Sequence, residues 1–153
     1  MEVPEPQVGA HDVLVQVERV GICGTDVEFF TGEMAYLASG EAHFPLRIGH
    51  EWCGRVIQIG NSVDPRWLDK FVTSDTMLGC QKCQRCLNGY QYLCADRDEV
   101  GIRRGFAGAL AEKVVIPDFA LLELPSDMDP ALGAMVEPTG NALRAVDATN
   151  LRA

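Results

Sequence analysis

Apolar and polar positions alternate from residue 13 to 18, with Val13, Val15 and Val17 set against Gln16 and Glu18. A period of two is the pattern of a strand with one buried face. Leu14 interrupts the alternation, so both faces of this strand are expected to be partly covered. Gly21-Ile22-Cys23-Gly24 then turns the chain, since two glycines in four residues tolerate backbone angles that others do not. Further strands are predicted at 52–59, opened by Gly49-His50-Glu51 and closed by Gly60-Asn61, and at 71–73, 109–116 and 121–124, the last two followed by proline. Residues 25–31 read as a short helix capped by Thr25 or Asp26, and 32–47 as a long loop of the kind that serves a site. Residues 1–12 read as an extended lead-in and 94–108 as irregular chain. Asp129-Pro130 reads as a helix cap and first turn, and 141–148 as a helix with Ala142, Leu143 and Val146 on one face. Many short strands with helix only near the end predict a small barrel or sandwich.

A length of 153 residues is that of about one domain. The formal net charge of -9 disfavours a nucleic-acid binder, which draws its affinity from Lys and Arg. No apolar run is long enough to cross a bilayer, so no membrane partner is expected. The start, Met1-Glu2-Val3-Pro4-Glu5-Pro6, is acidic and broken by proline, unlike a secretory signal. Six cysteines without such a signal imply a reducing, cytoplasmic setting and metal-bound thiols.

Four of those cysteines fall in one loop. Cys80, Cys83, Cys86 and Cys94 are separated by gaps of two, two and seven residues. Three sulfurs converge from a tight turn and a longer arc returns the fourth, a cage suited to a tetrahedral structural zinc. Each thiol must lose a proton to bind, so affinity should fall in acid. The alternatives are an iron–sulfur cluster, whose bacterial ferredoxin spacing differs and which would place Pro where Ala95 stands, and disulfides, for which Cys80 and Cys83 lie too close to staple anything distant.

A second constellation comprises Cys23, His50, Glu51 and Glu137, each beside glycine or proline at the junction of a strand or helix with a turn. Such junctions aim side chains into clefts. Thiolate, imidazole and carboxylate are the ligand types of catalytic zinc sites that keep one position open. Singly, Cys23 also fits a small buried hydrophobe, His50 a satisfied core imidazole, and the two glutamates solvated acids.

Gly21-Ile22-Cys23-Gly24-Thr25-Asp26, Gly49-His50-Glu51, the four-cysteine loop and Glu137-Pro138-Thr139-Gly140-Asn141-Ala142 follow one another in an order that resembles the zinc-containing medium-chain alcohol dehydrogenases, especially the polyol, threonine and glucose dehydrogenase branch. The resemblance implies a mainly β, GroES-like, partly open β-barrel over residues 1–153, with a structural-zinc lobe at 79–98 and short helices toward the C-terminus. It implies that Cys23, His50 and Glu137 ligate a catalytic zinc, with Glu51 a neighbouring acid that ligates or sits behind the metal. By the same resemblance Asp26 orients the ligating His, Thr25 takes the alcohol proton, and Cys80, Cys83, Cys86 and Cys94 hold the structural zinc. The implied reaction is zinc-assisted oxidation of a small alcohol or polyol with hydride transfer to NAD or NADP. Subunits of such enzymes pair, so a homodimer is expected.

Two departures qualify the match. Where a His often relays the proton outward, this chain reads Val27-Glu28-Phe29, leaving Glu28 as a substitute relay or a solvated acid. No strand, Gly-x-Gly-x-x-Gly turn and helix occur in succession; Gly105-Phe106-Ala107-Gly108 has neither the spacing nor the flanks. The expectation is therefore a catalytic domain inactive alone, with 129–153 starting a helical connection to a Rossmann domain not contained in it. The alternative is a zinc-stabilised binding or assembly module without catalysis.

Overall fold

The computed structural model describes residues 3–149, so Met1, Glu2 and residues 150–153 of the expected 129–153 connection lie outside the described residues. In chain order the elements are β1 (Asp12–Val20), α1 (Gly24–Thr31), α2 (Ala35–Ser39), β2 (Trp52–Ile59), β3 (Phe71–Ser74), β4 (Met77–Leu78), α3 (Gln84–Leu87), β5 (Asp98–Glu99), β6 (Lys113–Pro117), β7 (Leu121–Glu123), α4 (Pro130–Ala134) and α5 (Val136–Thr149). Three 3₁₀ turns complete the connections.

Five strands form one sheet in the order β6-β1-β2-β3-β7, and β4 pairs with β5 as a separate ribbon. The two edge strands of the large sheet do not pair with each other, which gives the mainly β, partly open architecture rather than two stacked sheets. The alternation along β1 fixes its register: Val15 faces Val56 of β2 and Val114 of β6, while Val13 faces Ile59 and Ile116. With Trp52 and Val72, these side chains form the main core, most of them fully buried. Burial of each stabilises the fold by about 1.5–3 kcal/mol. Leu14 is also buried, as its break in the alternation implied. A second cluster of Cys53, Phe71, Leu124 and Ala134 lets α4 pack against the sheet.

Several boundaries differ from those the pattern predicted. The 32–47 stretch contains α2, which has no buried residue of its own and no legible period. Its loop neighbours are anchored by a third cluster of Phe29, Ala42 and Ile102, against which Tyr36, Leu37 and Ile48 pack. The strand expected at 109–116 begins only at Lys113, because Ala109 and Leu110 bond backbone to backbone with Gly49 and Ile48 instead. Within the 94–108 stretch, Asp98 and Glu99 pair with Leu78 and Met77. The last helix starts at Val136 rather than Asn141; Pro138 lies in its first turn, where a missing N–H leaves no bond unmade.

Candidate metal centres

β4 leads into the cysteine loop, whose Cys83 precedes the single turn of α3 that carries Cys86. A 3₁₀ turn at Gln91–Leu93 returns Cys94. All six cysteines of the chain are free. Sγ of Cys83 lies 3.6 Å from that of Cys86 and 3.8 Å from that of Cys94, and Cys80 lies 4.0 Å from Cys86. A disulfide requires about 2.05 Å. Four sulfurs about 2.3 Å from a tetrahedral zinc stand about 3.8 Å apart, so the spacing fits that ion. Backbone N–H groups of Lys82 and Cys83 pull the Cys80 thiol down to about 6, whereas burial and the Cys83 thiol push Cys86 up to about 12. The lobe's Leu87, Tyr90 and Leu93 are exposed, so little apolar burial orders it.

The second site forms where the turn after β1 meets the residues just before β2. Cys23 is the N-cap of α1: its Sγ accepts from the Thr25 backbone N–H at 3.3 Å, and the Asp26 carboxylate accepts from the Cys23 N–H at 3.0 Å. The cap is thus Cys23 itself, not Thr25 or Asp26, because the thiol turns back on the helix start while Asp26 closes the reciprocal bond. His50 Nε2 sits 3.1 Å from Cys23 Sγ. One ligand atom each from Cys23, His50 and Glu51 lies within 4.8 Å of the others. Glu137, on α5, lines the same cleft but falls outside that cluster, its carboxylate accepting from Asn141 Nδ2 at 3.1 Å.

These donors are largely out of water: His50 is 5% exposed, Glu51 7% and Asp26 3%. Burial raises the Glu51 pKa above the usual carboxylate range; His50 opposes the shift, and Glu137 and Asp26 add to it. His50 Nδ1 and Asp26 Oδ1 are buried without hydrogen-bond partners, 3.9 Å apart. Unpaired buried charge is costly, and a divalent cation at Cys23, His50 and Glu51 would both offset the acids and polarise the imidazole toward Asp26. The residues present therefore fit a zinc ion.

The cleft beside them has a volume of about 350 Å³, within the range of small-molecule sites. Thr25, Tyr36, Thr76 and Glu99 contribute polar groups to its walls. The last three escaped sequence reasoning, since single polar residues far apart in the chain carry no local signature. Also unforeseen was the packing of Gly108 on Gly49, where a Cβ on Gly108 would come within 2.5 Å of the Gly49 and Ile48 carbonyls. Only bare backbone lets the chain before His50 lie this close. Glu28 is exposed on α1 and is not among the cleft-lining residues.

The chain is thus a partly open β domain carrying a four-thiol cage and a Cys, His and Glu cluster at a cleft. Residues 9–126 match the family model described as the alcohol dehydrogenase GroES-like domain, and the chain belongs to that family. It is 37% identical over 145 residues to an L-threonine 3-dehydrogenase of Cutibacterium acnes and 34% identical over 145 residues to that of Bacillus subtilis. These alignments cover 94% and 95% of this chain but 41% of each relative, so the chain spans about two-fifths of their length. Among solved structures, it is similar to galactitol-1-phosphate dehydrogenase of Escherichia coli, with 29% identity, a TM-score of 0.79 and coverage of 96% of this chain and 40% of that one. A protein described as a zinc-binding dehydrogenase from Sinorhizobium meliloti, solved with NADP, gives 35% identity and a TM-score of 0.84 over 100% of this chain and 42% of that one. Among the described residues, no helix is long and apolar enough to cross a membrane.

Proposed function

We propose that this chain is the metal-binding catalytic domain of an oxidoreductase that oxidises a small alcohol or polyol. The observation that carries the reading is the convergence of Cys23 Sγ on His50 Nε2 at 3.1 Å, with Glu51 beside them, at the wall of a cleft. Cys23, His50 and Glu51 would hold the ion, with Glu137 able to approach from α5. A zinc ion held there supplies a Lewis acid that polarises an alcohol oxygen and favours loss of its proton. Asp26 holds the turn carrying Cys23 and faces Nδ1 of His50, which favours the tautomer that leaves Nε2 free as a donor to the ion. Thr25 lines the cleft next to Cys23, where its hydroxyl can take the alcohol proton while passing its own on to solvent. NAD or NADP is the hydride acceptor that the family implies and would supply the redox chemistry when bound. Polar walls at Tyr36, Thr76, Glu99 and Asn141 favour a substrate with more than one hydroxyl or a further polar group over a plain hydrocarbon alcohol.

The test is spectroscopic. Loaded with Co²⁺ in place of zinc, the chain should show a visible band that changes saturably with a polyol such as glycerol, and that response should vanish in His50→Ala. An unchanged spectrum at saturating polyol would favour a zinc-stabilised module without catalysis.

A further inference from the structure

The cleft is also lined by a carboxylate that takes no part in the metal cluster described above. Glu99, from β5, is 3% exposed and lines the cleft beside Tyr36 of α2. Both are held by one guanidinium. Arg97 Nε donates to Glu99 Oε1 at 2.7 Å, and Arg97 Nη2 donates to the Tyr36 hydroxyl at 3.2 Å. The Tyr36 hydroxyl in turn donates to the same Glu99 oxygen at 3.2 Å, closing a three-membered ring of contacts. The third arm of Arg97 points the other way, with Nη1 donating to the backbone carbonyl of Cys94 at 3.2 Å. Arg103 braces the arrangement from behind: it donates to the Arg97 carbonyl at 3.1 Å and places its guanidinium 5.5 Å from the centre of the Tyr36 ring.

We infer that Arg97 is a positioning residue that makes the Tyr36 and Glu99 wall of the cleft depend on metal binding in the four-cysteine lobe. The inference rests on the reading of that lobe as a zinc site. Cys94 returns to the cage only through the 91–93 turn, and its carbonyl is where the fork of Arg97 meets the lobe. A rigid Cys94 presents that acceptor at a constant place, and the planar fork passes the constraint to two side chains from different elements. When the lobe loosens, the guanidinium loses one of three anchors, and Tyr36 is freed with it. α2 is only five residues long and fully buries none of them, so beyond the partial packing of Tyr36 and Leu37 on the Phe29, Ala42 and Ile102 cluster and the Arg103 guanidinium beside Tyr36, its place depends on this network.

The amides of Glu41 and Ala42 report this directly, because both donate to the Tyr36 carbonyl. Hydrogen exchange at these two positions should be compared in the parent chain, Cys94→Ser, Arg97→Met and the double variant, with amides of β1 and β2 as a check that the main sheet stays folded. Each single change should speed exchange at Glu41 and Ala42 by about tenfold, the loss expected for a charged hydrogen bond. The double variant should exchange no faster than either single one, since both cut the same connection. Arg97→Lys, which keeps the charge but not the fork, should fall between parent and Arg97→Met. Parental rates at Glu41 and Ala42 in Cys94→Ser, or effects that simply add in the double variant, would overturn the inference. Zinc analysis of the parent separates the two possible failures: no thiolate-bound metal removes the lobe reading and this inference together, whereas a filled lobe with unaltered exchange removes this inference alone.

Discussion

His50 Nδ1 lies 3.9 Å from Asp26 Oδ1, and neither buried atom has a hydrogen-bond partner. The other oxygen of the same carboxylate accepts from the Cys23 N–H, so Asp26 touches the backbone of one candidate ligand and faces the ring of another. Replacing Asp26 with Asn keeps the shape and removes the charge. Metal affinity of the cleft should drop about 10–100-fold, with the cysteine lobe still filled. Competition with a chelator of known affinity measures this, and an unchanged affinity would show that Asp26 serves the helix cap alone.

Gly108→Ala should destabilise the chain by about 1–3 kcal/mol, as overpacked cores do, because the new methyl meets two carbonyls rather than a movable side chain. The same push displaces the backbone before His50, so cleft metal binding should weaken too. Denaturant midpoints and metal titration read the two effects separately.

Cys53 is fully buried and donates to the Pro130 carbonyl at 3.1 Å. Burial, with Glu18 adding, pushes its thiol up to about 11 from an ordinary 9.0. The unfolded chain therefore gives up this proton first. The contribution of Cys53 to stability is constant below about 9 and falls as pH rises from there toward about 11. Melting temperatures across that window should decline less in Cys53→Ala than in the parent. At neutral pH, Cys53 should resist alkylation until the chain unfolds.

Much of this architecture can be read from residues alone, and the parts that cannot share a physical reason. The β1 alternation is legible because one face meets a dense core at Val13 and Val15. The cage is legible because its ligands lie within one loop, so spacing alone encodes convergence. By contrast, β4 and β5 are two residues each, too short to show a period. α2 is held by the ring and hydroxyl of Tyr36 rather than by a stripe of its own. Cys23 and His50 are 27 residues apart and become neighbours only through the turn after β1, which is why family resemblance and not spacing drew them together.

Acid should empty the lobe before the main sheet unfolds. The Cys80 thiol, held down to about 6 by backbone N–H groups before any metal binds, is the readiest of the four to ligate, and bound zinc keeps the thiolates deprotonated to lower pH still. A zinc-sensitive dye should therefore register release only below about 6, while strand signals in the far ultraviolet persist. Simultaneous loss of both would mean that the lobe metal holds the whole domain.

The central claim is that the chain grips metal at two separate places. Zinc content of the purified chain, measured alongside Cys23→Ser and Cys94→Ser, tests it most directly. The account predicts about two zinc ions per parent chain and about one in each variant, with the remaining ion at the untouched site. A single ion that survives Cys23→Ser and disappears in Cys94→Ser would contradict it, leaving a zinc-stapled β domain with no metal at the cleft.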